Sequence, residues 1–297
     1  MKITSLIDRF GSNRLNAEIP ARLLSACTPK VTAINVAFAG GMCEVAHFAD
    51  LPSMNIINVN DLDRHAMNLG RVIRHQRSAL VEMLDATLFH PDSLAESQAF
   101  CRAVEKAPPG TIAGLEWAYH YFVCSWMTRG GKMGTRGEFE QGLSVRWKST
   151  GGDSVTRFRN ATEGLAEWSE VMRPCTFHTR DAFEFLCECK KRDVAENAIY
   201  CDPPWVDDGK NYTHGAFDEL VNWSNESADM FAPSERITKH EALARMLSDF
   251  KNARIVVRYG DHPEVRRLYS ADRWTWNMAT GRTSANKDKQ EVLLTNF

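Results

Sequence analysis

Apolar positions along the chain switch between two periods. Thr32–Phe38 (TAINVAF) is a short, mostly apolar run that meets Ala39-Gly40-Gly41, the pattern of a strand entering a strand-to-helix turn. Met54–Asp61 (MNIINVND) predicts a second strand closing on an acid. From about His65 to Leu84 the apolar residues Leu69, Val72, Ile73 and Leu80 follow helical spacing, and Gly114–Met127 reads as another strong helix. Residues 14–27 have the spacing of an early helix, with Pro20 as an interruption. Alternation resumes near 175. A strand is expected at Thr176–His178, a helix over 181–189, and a strand at Ala198–Tyr200 running into Cys201. A polar loop follows to about 235, then a helix over 239–250 and strands at Ala253–Tyr259 and Glu291–Phe297. Strands alternating with helices predict an α/β sheet, largely parallel, which binds ligands at the C-terminal strand edges. Gly40-Gly41, Asp61 and Asp202 belong there.

The middle of the chain differs. Residues 128–160 hold seven glycines and seven Lys or Arg, with Phe139, Trp147 and Phe158 interleaved and only Glu138, Glu140 and Asp153 offsetting the charge. A chain of 297 residues accommodates one large domain with an insertion. The division expected is 1–84 with 171–297 as the main unit and 85–170 as the insert. The net charge of -2 does not announce a polyanion, so any nucleic-acid contact must come from local charge. Candidates are Arg129, Lys132, Arg136, Arg146, Lys148, Arg157 and Arg159, in a segment whose glycines let it follow phosphates.

No stretch approaches ~18 apolar residues and the first ten lack a signal-peptide run, so no membrane partner is expected. The eight cysteines show no paired CxxC spacing, and the pair Cys187/Cys189 has no partner pair. They read as buried, reduced thiols of a cytoplasmic protein without a metal site. His178, His214, His240 and His262 have no ligand spacing and read as structural or surface residues.

Asp202-Pro203-Pro204-Trp205 carries the sharpest chemistry. An exocyclic amino group on a nucleobase is a poor nucleophile because its lone pair is delocalised into the ring. The Asp202 carboxylate and the Pro203 carbonyl can accept its two N–H groups, and prolines make a stiff turn without donors of its own. Trp205 can stack on a base drawn out of a duplex. Reaction would then depend on positioning and polar preorganisation. Phe38-Ala39-Gly40-Gly41 suits close backbone approach to a ligand. Asp61 suits ribose hydroxyls, or equally the cap of the next helix; Asp181 suits an adenine amino group, or a cap. Absence of GxGxxG favours an adenosyl donor over a nicotinamide cofactor.

Together these residues resemble the Dam-like DNA adenine methyltransferases, along most of the chain. Phe10-Gly11-Ser12-Asn13-Arg14 resembles the family's N-terminal turn on the cofactor, Ile34–Gly41 its glycine-rich motif, and Asn58–Asp63 the motif whose acid binds ribose. Arg180-Asp181-Ala182 resembles the strand-end acid near the cofactor adenine, and Asp202–Trp205 the catalytic motif. Tyr259–Glu264, Arg266–Tyr269 and Glu291–Asn296 resemble late family segments. The resemblance implies a Rossmann-like class I S-adenosylmethionine-dependent methyltransferase sheet, with residues 85–170 as target-recognition domain, in the family's alpha arrangement. It implies catalysis by Asp202, Pro203, Pro204 and Trp205. S-adenosyl-L-methionine would be bound by Arg9, Phe10, Gly11, Asn13, Ala37, Phe38, Ala39, Gly40, Asp61, Leu62, Asp181, Ala182 and Asp202. The partner implied is double-stranded DNA, methylated at adenine N6 by base flipping, with any restriction endonuclease on another chain. Alternatives are adenine in RNA, or a nucleic-acid-binding relative that has lost catalysis. The sequence departs from the family at Asn13 (usually Lys), Arg9 (usually aromatic), Ala37 (usually Pro), Met42 (commonly Gly) and Trp205 (usually Tyr or Phe). Arg9 and Arg14 are the candidates for the missing cation.

Overall fold

A computed structural model describes residues 5–108, 114–128, 132–146, 153–207, 211–213, 217–223, 235–282 and 288–297. Five parallel strands form its centre: β1 (Ala33–Val36), β2 (Ile56–Asn60), β3 (Cys175–His178), β4 (Asn197–Cys201) and β7 (Arg254–Gly260). An antiparallel hairpin, β8 (Thr275–Arg282) and β9 (Asp288–Thr295), extends the sheet through β9. The seven-stranded order is β3-β2-β1-β4-β7-β9-β8, so the chain reverses direction across the sheet between β1 and β4. The fold is mixed α/β and compatible with a Rossmann-like architecture. Its last two strands depart from the six-strand parallel order of dinucleotide-binding sheets. A separate antiparallel pair, β5 (Leu220–Trp223) with β6 (Glu235–Thr238), occupies part of the stretch expected as loop.

Alternate side chains of each central strand enter different cores, as a pleated strand requires. On β4, Ala198 and Tyr200 join one apolar cluster while Ile199 and Cys201 join the other. The second cluster is covered by α8 (Ala182–Lys190), α9 (Lys239–Ser248) and α10 (Pro263–Leu268). The first lies under α1 (Glu18–Ser25), α2 (Cys43–Ala49), α3 (Arg64–Asp85), α4 (Pro91–Lys106), α5 (Gly114–Met127), α6 (Ser154–Glu163) and α7 (Leu165–Val171). Pro20 does not interrupt α1. It is the helix's third residue, where the missing N–H has no intrahelical acceptor to lose.

Within the stretch expected as the insert, Leu94, Cys101, Trp126, Phe158 and Trp168 pack in the same cluster as Val36 and Ile57 of the sheet. Cys27, Cys43, Cys101, Cys124, Cys175 and Cys201 are buried as free thiols. Among the described residues, no helix is long and apolar enough to cross a membrane.

Candidate functional site

Four loops leave the C-terminal edge of the sheet around one cavity of about 690 Å³, a size typical of small-molecule sites. Phe38–Gly41 follows β1, Asp61-Leu62 follows β2, Arg180–Phe183 follows β3, and Asp202 with Pro204 and Trp205 follows β4. All the residues expected to hold the donor line this cavity: Arg9, Phe10, Gly11, Asn13, Ala37, Phe38, Ala39, Gly40, Asp61, Leu62, Asp181, Ala182 and Asp202. Pro203 is buried and is not among the residues that line the cavity, whereas Asp202 is.

At one end, Asp61 accepts the Gly40 N–H through Oδ2 (2.8 Å) and the Asp63 N–H through Oδ1 (2.9 Å), which ties the β1 turn to the β2 turn. Asp63, not Asp61, caps α3, accepting from the N–H groups of His65 and Ala66. Asp181 both lines the cavity and caps α8 through the Phe183 N–H. Arg9 is buried against both acids: it forms an ion pair with Asp63 and lies 3.6 Å from Asp61. Burial alone would lower the pKa of Arg9, but Asp61 and Asp63 outweigh it and hold the guanidinium above its usual range. Arg9 therefore neutralises the acids beneath the site rather than standing free as a substitute cation. Arg14 pairs with Asp8 at 2.6 Å and remains on the cavity wall.

The N-terminal turn is pressed onto the glycine turn. A Cβ on Gly41 would stand 2.3 Å from Ser12 Oγ, so the approach needs glycine. Gly11 has φ +75° and would meet the Tyr212 hydroxyl at 2.9 Å if it carried a Cβ. Gly41→Ala is expected to cost roughly 1–3 kcal/mol of stability and to weaken ligand binding in the cavity. Urea unfolding with parallel calorimetric binding checks this; wild-type values in both would count against the contact.

At the other end the buried charges converge on one guanidinium. Arg258, 4% exposed on β7, donates to Asp202 Oδ2 (2.7 Å) and bidentately to Glu291 on β9 (2.8 and 3.2 Å). The Trp205 indole N–H donates to Asp202 Oδ1 (3.1 Å), and its ring carries Arg258 at 4.9 Å and Lys289 at 4.5 Å. Asp202 is raised above the usual carboxylate range by burial, against which Arg258 and the Trp205 hydrogen bond pull it down. Glu44, in the first turn of α2, accepts from the Tyr200 hydroxyl (3.0 Å); burial and then Asp202 push it up to about 7. The native Glu44 thus holds a proton that the unfolded chain releases above about 4.5, and stability falls as pH rises from there toward 7. Glu44→Gln is expected to flatten the decline in unfolding free energy between about pH 5 and pH 8. An unchanged slope in denaturant titrations would sink that assignment.

The basic candidates divide. Lys132, Arg136, Arg146 and Arg159 are exposed. Arg157 is a correction: its guanidinium turns inward to Asp8 (3.0 Å) and to the Trp126 and Thr128 carbonyls, and lies over the Trp126 ring. Arg129 and Lys148 lie outside the described residues. Lys132 and Arg136 belong to a short strap of which Gly134 lines the cavity. Phe10 N–H donates to Met133 (3.1 Å), Thr213 N–H to Gly134 (3.0 Å), and Arg136 N–H to Asn211 (3.4 Å). The strap rests on Glu138, which accepts the Gly134 N–H and is pushed up to about 8, first by burial and then by Asp63.

Sequence reasoning missed Glu44, Arg258, Glu291 and the aromatic wall of Phe183, Phe217 and Tyr212. A signal for two of them exists: Arg258 and Glu291 are lone opposite charges in the apolar runs IVVRY and EVLL, and charges there must find each other. His240, expected as structural, is buried between Asp218 (3.1 Å) and the Tyr259 hydroxyl (3.0 Å). No family model matches the chain, and no curated protein matches it in sequence.

Proposed function

We propose that the protein transfers a methyl group from S-adenosylmethionine to the N6 amino group of adenine in double-stranded DNA. One observation carries the reading: a single cavity is walled at one end by the Gly40–Asp61 turn pair and at the other by Asp202 and Trp205, so a nucleoside donor and a planar amine can meet inside it. The residues present fit such a donor. Asp61 keeps acceptor capacity beyond its two backbone bonds. Among the described residues Ser12 Oγ is buried on the wall without a hydrogen-bond partner, Asn13 lies beside Glu44, and Phe183 stacks on Phe217 (6.0 Å, 11°) in the same lining.

When bound, the donor supplies an electrophilic methyl on a sulfonium. The chain's own residues do the rest. Asp61 accepts from the ribose hydroxyls, and Ser12 and Asn13 take up the amino-acid end. Asp202 accepts an N–H of the target amino group, which localises the nitrogen lone pair for in-line attack. As the N–C bond forms the S–C bond would break to leave a neutral thioether, and the surplus N–H proton would pass to Asp202 or solvent. Trp205 offers the face on which the extracted base stacks. Lys132 and Arg136, exposed on either side of the cavity-lining Gly134, would meet phosphates.

Labelled methyl from S-adenosylmethionine is expected in unmethylated duplex DNA as N6-methyladenine. Label in structured RNA alone would transfer the reading to an RNA enzyme. No transfer together with no donor binding would leave a relative of this fold that has given up the chemistry.

A further inference from the structure

Asp202 is asked to accept a hydrogen bond, yet it stands among groups that oppose its negative charge. Glu44 on α2 and Glu291 on β9 are acids near it, and Tyr200 and Cys201 on β4 and Tyr259 on β7 add three more ionisable neighbours. Its side chain is only 18% exposed. Arg258 is the buried cation in direct contact with it, at 2.7 Å. The same guanidinium is fixed from behind by Glu291, whose Oε2 also accepts from Asn16 (3.2 Å), so its orientation is over-determined. It lies under the Trp205 ring as well, which packs where Gly260 leaves room: a Cβ there would come 2.8 Å from Cε3.

The geometry points to Arg258 as a positioning residue for the acceptor end of the cavity: it holds the Asp202 carboxylate as a charged acceptor with Oδ1 turned toward Trp205, and it supplies the platform beneath the Trp205 ring. This rests on the reading of Asp202 as the group that receives the target amine. With Oδ2 committed to Arg258, the target amine exchanges with the indole N–H at Oδ1, one aromatic N–H replacing another on the same oxygen. Only tryptophan among the uncharged aromatic residues can make that indole bond. Removing Arg258 leaves only the Trp205 hydrogen bond against burial and the neighbouring acids, so Asp202 takes up a proton at higher pH. Its protonated form is lost as an acceptor, and activity should recover only on the alkaline side.

The test uses full-length Arg258→Lys, Arg258→Met, and the double change Arg258→Met with Glu291→Met. The double change removes the pair together and spares the core an unmatched Glu291. Asp202 is followed by carbon-13 carboxylate titration, assigned with Asp202→Asn, beside kcat and KM for duplex DNA across pH. Expected are an upward move of the Asp202 titration in both Met variants and a kcat roughly 100-fold lower at neutral pH, with its acid limb moved to higher pH and KM changed little. Arg258→Lys should recover part of both. An Asp202 titration unmoved in the folded double variant overturns the proposal, as does a kcat that rises, which would make Arg258 a block. If the wild-type protein transfers no methyl at all, the reading of the site fails, while the titration still decides whether Arg258 governs Asp202.

Discussion

Asp202→Asn is expected to lower kcat for adenine methylation by roughly three orders of magnitude while leaving donor affinity within about tenfold. The amide keeps the volume of the carboxylate, so the wall should keep its shape. Arg258 decides what the amide does. A guanidinium offers only donors, so the amide oxygen turns toward it and takes the place of Oδ2. The amide NH₂ then faces the cavity, where the carboxylate had offered Oδ1. A donor meets the incoming amino donor, and the lone pair is no longer localised. Donor affinity is expected to fall less, because Asp61, the acceptor for the ribose, follows β2, two strands away from β4 and Asp202. Single-turnover methylation beside calorimetric binding of S-adenosylmethionine measures both quantities. A kcat within about tenfold of wild type would show that acceptance by Asp202 is not what activates the amine.

Arg9→Met is the larger disruption of the fold, with an expected loss of roughly 3–5 kcal/mol of unfolding free energy. Arg9, Asp61 and Asp63 are all at most 9% exposed, so the substitution takes a buried cation away from two buried acids. Tyr121 donates to Asp63 at 3.0 Å but cannot supply charge. The damage also reaches the cavity, because Asp61 is the acid that ties the β1 and β2 turns. Combining Arg9→Met with Asp63→Asn should recover part of the loss: asparagine still caps α3 and removes one of the stranded charges. Denaturant unfolding of the two singles and the double yields the coupling. A single-variant loss below about 1 kcal/mol would mean that solvent screens this pair as it would at a surface.

The central strands were legible because each combines an apolar run with a turn residue at its end: Val36 leads to Gly40, Asn60 to Asp61, and Cys201 to Asp202-Pro203-Pro204. Those ends meet because parallel strands bring their C-termini to one edge, so Gly40, Asp61, Asp181 and Asp202 on the cavity wall followed from the strands, while the N-terminal turn followed only from the resemblance. What escaped had weaker local marks. β8 reads TWNMATGR, with no apolar run, because it is an edge strand paired only with β9. α4 buries Leu94, Ser97, Cys101 and Val104, a stripe too mixed in polarity to stand out. The basic segment was read by composition, and composition cannot tell an exposed Arg159 from an Arg157 turned onto Asp8. The change of composition at 85–170 marks no break in the apolar cluster, because its helices pack against the sheet. Arg258 lay unseen because pairing between β7 and β9 is a fact of register, which no single run contains.

That register also governs the order in which the molecule can be made. β1 and β2 lie close in sequence, with Ala33 opposite Ile56, so both are available to pair early in synthesis. The other edge of β1 waits for Asn197 of β4, and β4 in turn waits for β7. During synthesis the Gly40 and Asp61 turns are therefore built well before Asp202 has a place to dock, and Arg258 and Glu291 come later still. A nascent chain halted after α7 carries the helices around a sheet with an open, apolar inner edge, the kind of surface that recruits chaperones or aggregates. Slow, long-range strand pairing follows from this layout, and expression at lower temperature favours it by giving the late strands time to find the early ones.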